Sequence, residues 1–374
     1  MYGVLKSILG RASEAFGQLF NGPQGAFITG SDTYEQLPIM RLTDNATDVD
    51  HFLRAVFCPW YLIRLRRLQK DRKHGLLRVP PGYYGILRLA QKYMAYEFIP
   101  ELMDVFHEVW PIDLPAWLEK EISRLKKVYE SGPPPNPDGN ELDIEWDQTD
   151  LLPDPISTYA FALEHPALYD ILPTVAYDIV HSHTVPVPSN DGGFRRLDFS
   201  LLDQQDTLNL RAGGEVLRLD CLRKLDFDGF TGISLRVERC LHTPGVRYPD
   251  DLACYDGLRK FWRRNVVPLV SLTRPIDFLE FPTTCFAEGV CPSCAAAVVG
   301  HLNNAKYVMW AKLPIYFRLT GIVSPGWGLG FDADERINLL PRPWQDEVRA
   351  VLNVAQDPDA GPRMFEQLRN GPLL

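Results

Sequence analysis

The sequence predicts a predominantly helical α+β chain, and three observations carry that expectation. Apolar residues recur at i, i+3 and i+4 through most of the 374 residues. Only one stretch, residues 38–43, alternates apolar and polar as a half-buried strand does. The 31 prolines, beside 27 glycines, cut the helical pattern into short pieces. Hydrophobic residues make up 45% and charged residues 23%, as in an average globular domain, which excludes a wholly disordered or fibrous chain. No apolar run approaches the roughly 18–20 residues that a membrane span needs. A net charge of −9 speaks against a surface that tracks nucleic acid throughout, and leaves that role only to a local basic patch.

The first element is an amphipathic helix over 4–20, with Leu5, Ile8, Leu9, Ala12, Phe16, Leu19 and Phe20 on one face. After the loop 22–25 and the strand over 38–43, Asp44 or Asn45 caps a helix with the face Val49, Phe52, Leu53, Val56 and Phe57. Further faces follow at Tyr83, Ile86, Leu87, Ala90 and Met94, and at Phe98, Leu102, Phe106 and Val109. Another is Leu118, Ile122, Leu125 and Tyr129. Residues 132–137, Gly-Pro-Pro-Pro-Asn-Pro, cannot continue a helix, and 138–150 carry six acids and no base. Residues 131–153 therefore read as an acidic, proline-rich linker between a first domain, 1–130, and a helical domain, 154–320. The second domain shows helical patterns at 156–163, 168–180, 197–225 (interrupted at Gly213-Gly214), 252–270 and 295–317. The tail, 321–374, has no sustained period and is expected to be partly ordered.

Seven cysteines, an odd number, accompany a start without the apolar core or cleavage site of a secretory signal. Lys6 and Arg11 against Glu14 give that start a faint presequence character, which the amphipathic helix explains better. The expectation is an intracellular protein, cytoplasmic or nuclear, whose thiols are reduced or metal-bound. The sharpest feature is Cys291-Pro-Ser-Cys294, two thiols at the spacing that clamps one Zn²⁺. A tetrahedral site needs a second pair, available from Cys240, His242, Cys254 and Cys285; Cys240 and Cys254 are named with Cys291 and Cys294 as the candidate metal ligands. Pro292 pre-sets a helix start, where the dipole favours thiolate, so a redox dithiol is the rival reading. Against it, no βαβ pattern precedes the motif and no Trp flanks it.

His181, His183 and Asp178 read as the polar end of a helix rather than as an acid–base or metal site. No nucleophile elbow, zincin helix, dinucleotide fingerprint or EF-hand spacing occurs, so no enzyme is expected. Six of the ten residues 64–73 are basic, a candidate phosphate-binding or nuclear-localisation patch, but Leu62, Leu65 and Leu68 make the segment one face of an ordinary helix, the preferred reading.

The order of elements in the first domain resembles BTB/POZ domains. Residues 5–20 (Leu-Lys-Ser-Ile-Leu … Phe-Gly-Gln-Leu-Phe) are similar to their first helix, and Leu37-Pro-Ile-Met-Arg-Leu-Thr-Asp44 to the strand that follows. Val49-Asp-His-Phe-Leu-Arg-Ala-Val-Phe57 resembles the "Val-x-x-Phe-Leu" helix, and Ile86-Leu-Arg-Leu-Ala-Gln-Lys-Tyr93 the "Leu-x-Leu-Ala-x-Lys-Tyr" helix. The whole chain resembles the BTB-domain proteins expanded in mushroom-forming fungi, which carry a late Cys-Pro-x-Cys helix start. The family's leading strands have no counterpart ahead of Met1-Tyr-Gly-Val-Leu-Lys6, so the resemblance is to a truncated BTB/POZ domain. It implies a non-enzymatic adaptor or scaffold whose partners are other proteins, with self-association through this domain. It also raises substrate recruitment to a cullin-type ubiquitin ligase, although no hydrophobic-x-acid anchor stands in 21–37. Leu5, Ile8, Phe16 and Phe20 are then expected to form an uncovered interaction surface. Two other classes compete: a zinc-binding or redox protein built on the late cysteines, with zinc as its cofactor, and a nucleic-acid binder using 64–73.

Overall fold

A computed structural model describes residues 2–21, 33–34, 37–58, 60–69, 79–131, 154–182, 199–233, 240–242, 253–271 and 277–323, with single residues from 327 to 369. The chain forms two compact units, one of residues Met1–Val109 and Lys127–Pro153, the other of Trp110–Lys126 and Asp154–Leu374. Predominantly helical structure is what the described residues show. No helix among them is long and apolar enough to cross a membrane.

The first unit contains α1 (Lys6–Ala12), α2 (Glu14–Asn21), β1 (Thr33–Tyr34), β2 (Leu37–Pro38), α3 (Ala46–Phe57), α4 (Trp60–Gln69), α5 (Pro81–Lys92) and α6 (Ile99–Val109). The single helix expected over 4–20 is two, because Ser13 is extended at φ −137° and ψ 121°. Its buried hydroxyl donates to the Tyr93 carbonyl at 2.5 Å and accepts from the Phe16 N–H at 3.2 Å, capping α2. The bend folds both pieces over α3 and α5, where Leu9 and Phe16 join Val49, Phe52, Leu89 and Ala90 in one core. Phe16 lies 4.6 Å from the Tyr93 ring and is 3% exposed. The uncovered surface expected of Leu5, Ile8, Phe16 and Phe20 is thus largely spent within the unit. Ile8 and Phe20 are half-buried, and Leu5 alone stays exposed.

Asn45 caps α3, its Oδ1 accepting from the N–H of Thr47 at 2.8 Å and of Asp48 at 3.4 Å. The strand expected over 38–43 contributes only Pro38 to a hairpin, with Thr33 opposite Pro38 and Tyr34 opposite Leu37. Residues 39–43 have no ladder partner among the described residues, and alternation without a partner makes no strand. The α+β character expected of the chain goes no further than this hairpin among the described residues. In α4, Leu62 and Leu65 are buried while Arg64, Arg66 and Arg67 face solvent. Arg66 pairs with Glu108 of α6 at 2.6 Å. Residues 70–73, the rest of the basic run, and the linker from 132 to 153 lie outside the described residues.

In the second unit come α7 (Leu114–Ser131, by its residues up to Lys126), α8 (Pro155–Glu164), α9 (Leu172–Ser182), α10 (Gln204–Lys224) and α11 (Phe227–Ile233). They are followed by α12 (Tyr255–Asn265), α13 (Val267–Ser271), α14 (Pro292–Ala311) and α15 (Leu313–Tyr316). Residues 110–126 sit here rather than with 1–109, because their polar and aromatic groups find partners here. The Trp110 indole donates to Asp178 at 3.3 Å, the Pro111 carbonyl accepts from Thr174 at 3.0 Å, and the Ile112 carbonyl accepts from Trp310 at 2.9 Å. Helix α7 turns a different face inward than its apolar pattern predicts: Leu114, Trp117 and Glu121 are buried and Ile122 is 58% exposed. Burial of the large Trp117 ring decides the rotation, and Glu121 is carried inside with Arg124 as its ion partner at 2.5 Å.

Helix α10 runs unbroken through Gly213 and Gly214, where a side chain would collide with the Phe317 ring and with Val180. The helix expected over 295–317 starts earlier, at Pro292, and breaks at Lys312, since Pro314 cannot donate the next backbone bond. Lys312 is fully buried; its ammonium and the Tyr316 hydroxyl donate to Asp220 at 2.9 and 2.5 Å. Trp117, Tyr177, Phe278 and Trp310 form the aromatic core, and tail residues Trp327, Val348 and Phe365 are buried in the same unit.

Candidate metal centre

Four cysteines from three segments meet in the second unit. Cys291 is the residue before α14, extended at φ −72° and ψ 157°, and the Pro292 ring starts the helix behind it. Its carbonyl accepts the first helical bond, from Ala295 at 3.0 Å, and Cys294 follows in the first turn. Cys254 holds the same position before α12, its carbonyl accepting from Leu258 at 2.9 Å. Cys240 arrives from the segment after α11. Two glycines permit the approach. Gly289 takes φ +78° in the turn that Val290 closes on the Ala287 carbonyl, just before Cys291, and a side chain on Gly257 would strike Val290 and the Glu288 carbonyl.

The four sulfurs lie within 4.8 Å of one another, and each residue is at most 2% exposed. Cys240 and Cys254 approach to 3.6 Å. That is far beyond the roughly 2.05 Å of a disulfide. It matches the roughly 3.8 Å that tetrahedral geometry sets between sulfurs bound at about 2.3 Å from one zinc ion. Backbone N–H groups point at the sulfurs: Cys291 donates to Cys254 Sγ at 3.2 Å and Leu241 to Cys291 Sγ at 3.5 Å. Two helix N-termini, of α12 and α14, add their positive ends.

These donors act unequally on the thiols. Burial opposes ionisation of Cys291, but backbone N–H groups of Cys294 and Leu241 and the thiols of Cys294 and Cys254 hold it below the ordinary range. Burial pushes Cys254 up to about 11, and burial with the Cys291 hydrogen bond pushes Cys294 well above its ordinary value. A cation among the sulfurs is what offsets the cost of a second, third and fourth thiolate.

Of the residues eligible from spacing, Cys240 and Cys254 join Cys291 and Cys294. His242 stands beside them, its Nδ1 3.4 Å from Cys254 Sγ, and the half-buried Cys285 is outside the group. Asp178 and His181 serve the core: Asp178 accepts a hydrogen bond from the Trp110 indole N–H, and His181 Nε2 lies 3.1 Å from Asp277 Oδ2. His183 is outside the described residues. Reasoning from sequence misses Asp220 and Glu121 as buried acids, and Asp277 as the half-buried partner of His181. The only local signal is a Lys or Arg in an otherwise apolar stretch, as at Lys312. Comparison with family models, curated proteins and solved structures found no match.

Proposed function

We propose that the chain is a non-enzymatic protein-interaction module whose second unit is stapled by one structural zinc ion on Cys240, Cys254, Cys291 and Cys294. The cluster of four buried sulfurs within 4.8 Å carries the zinc part of this reading. An all-thiolate set of this size suits zinc, and four protein ligands leave no open position for a reacting water. Burial also speaks against a redox dithiol, which needs access to its substrate. Two polar clusters of the second unit, His181 with Asp277 and Asp220 with Lys312 and Tyr316, are spent tying core elements together.

The interaction part rests on the BTB/POZ resemblance of the first unit. Its support is the pairing of α3 with α5, the helices of the two most specific motifs, with Tyr93 closing over Phe52 and Phe16. Self-association and recruitment to a cullin-type scaffold are the partners this reading carries. Elemental analysis of the purified full-length chain tests the zinc. About one zinc per chain is expected, with a thiolate-to-metal absorption band on cobalt exchange. A metal-free protein with four freely titrating thiols and an unchanged melt would overturn it. Affinity capture with mass spectrometry tests the interaction part.

A further inference from the structure

One short segment joins the buried sulfurs to the protein surface. Cys240 is buried, while its neighbours Leu241 and His242 are exposed and still touch the cluster. Leu241 does so through its backbone N–H, on Cys291 Sγ at 3.5 Å. His242 does so through its ring, with Nδ1 3.4 Å from Cys254 Sγ. Two atoms bound to one zinc ion, a nitrogen at about 2.0–2.1 Å and a sulfur at about 2.3 Å, stand roughly 3.5 Å apart in tetrahedral geometry. His242 Nδ1 therefore has the separation from Cys254 that a ligand sharing its metal would have. It is nevertheless not one of the group that closes within 4.8 Å. A ring near one sulfur but not near all four is placed to replace that ligand, not to add a fifth. The backbone nitrogens of Cys291 and Leu241 at the sulfurs carry only N–H donors, whereas imidazole is a common metal ligand.

We propose that His242 is a reserve ligand: it takes the place of Cys254 when that bond opens, and metal enters and leaves the buried cluster past it. The proposal deepens the zinc reading above and rests on it. In the exchange the bond from zinc to Cys254 Sγ breaks, and a bond from the Nδ1 lone pair of His242 forms, with the ring proton on Nε2. Coordination stays at four, and the departing thiolate takes a proton from water. Charge keeps the cost of the exchange low. Four thiolates around Zn²⁺ make a buried dianion, and a neutral imidazole in place of one leaves a monoanion, which is easier to keep from water. The chain keeps the reserve at hand. Cys240 is two residues from His242, so a metal still held by Cys240 meets the ring at high effective concentration after Cys254 has let go.

The probes are zinc and cobalt on the full-length chain. With all four cysteines in place, His242→Ala should slow the transfer of zinc to an excess of a small chelator at least about fivefold. His242→Phe, which keeps a ring at the surface, should slow it alike. A hydrogen bond to Cys254 without ligand exchange predicts the reverse, since loss of the donor loosens the thiolate and speeds release. Cys254→Ala should still hold cobalt, with about a quarter of the thiolate-to-metal band lost and the d–d bands moved to higher energy as nitrogen replaces sulfur. Adding His242→Ala to that variant should weaken cobalt binding at least about tenfold. Zinc release from both His242 variants at the wild-type rate or faster would overturn the proposal, as would cobalt binding by Cys254→Ala that does not depend on His242. Either result, with zinc still bound to the wild type, leaves the metal centre standing. A wild type that holds no metal overturns both readings.

Discussion

The two units are held together by different physics. In the first unit's ion pairs among the described residues the cation stays exposed, from 42% for Arg66 to 56% for Arg54, and the core cluster is apolar and aromatic. The second buries the pair of Lys312 and Asp220, at 0% and 4% exposure, and adds four buried thiols close enough together to hold a metal ion. Exposed pairs are worth about 0–1 kcal/mol, whereas breaking one side of a buried pair costs about 3–5 kcal/mol. The first unit should therefore lose stability in small increments. The second should tolerate no half-site, because each partner destabilises when the other is gone.

The largest contrast should come from metal. Cys294→Ser, or a chelator on the wild type, should remove a clip worth on the order of 10 kcal/mol at neutral pH. Tryptophan fluorescence follows this, since among the described tryptophans Trp110, Trp117, Trp262 and Trp310 are buried in the second unit and Trp60 of the first is 77% exposed. An unshifted fluorescence melt would erase the distinction between the units. Next is Asp220→Asn, expected to cost about 3–5 kcal/mol by stranding Lys312, with Lys312→Met in the same chain recovering most of it. Burial opposes the Asp220 carboxylate, but the charges of Lys224 and Lys312 and the Tyr316 hydroxyl hold its pKa below the usual 3.8. Its contribution is therefore present above that value and lost as pH falls through the folded pKa, so the double variant should show a flatter acid limb. Absence of recovery would mean that the pair is not the unit of stability.

Phe16→Ala sharpens the comparison from the other side. It should cost about 3 kcal/mol through the lost stack on Tyr93, without moving the tryptophan signal. A tryptophan response would show the units to be coupled. The smallest effect belongs to His181. Burial works against its charge, but the hydrogen bond and charge of Asp277 raise its pKa above 6.5, while Asp277 is lowered below 3.8 despite its own burial. Stability from the raised histidine is complete below about 6.5 and fades as pH rises through the folded value; that from the aspartate fades as pH falls below about 4. The melting-temperature gap between wild type and His181→Gln should be wider near about pH 6 than near about pH 9. A gap independent of pH would place the value of His181 in its ring contacts with Tyr177 and Trp117 alone.

Periodicity by itself determined that α3, α5, α6 and α14 exist, because the helical spacing of Val49 and Phe52, of Ile86 and Ala90, of Leu102 and Phe106, and of Val298 and Leu302 is a property of neighbours within two turns. It also marked Cys291 and Cys294, since a C-x₂-C pair at a helix start is local chemistry. Spacing alone did not separate Cys240 and Cys254, the pair named from the sequence, from His242 and Cys285. The choice fell to Gly257 and Gly289, which let one turn close on another helix. Tertiary contacts likewise decided the break at Ser13, the continuity of α10 through Gly213 and Gly214, and the inward turn of Trp117 and Glu121. The physical reason is common to all of these. Burial is non-directional and rewards whichever face finds a complement, and a buried hydroxyl, carboxylate or thiol is tolerable only opposite a partner that the chain brings from far away.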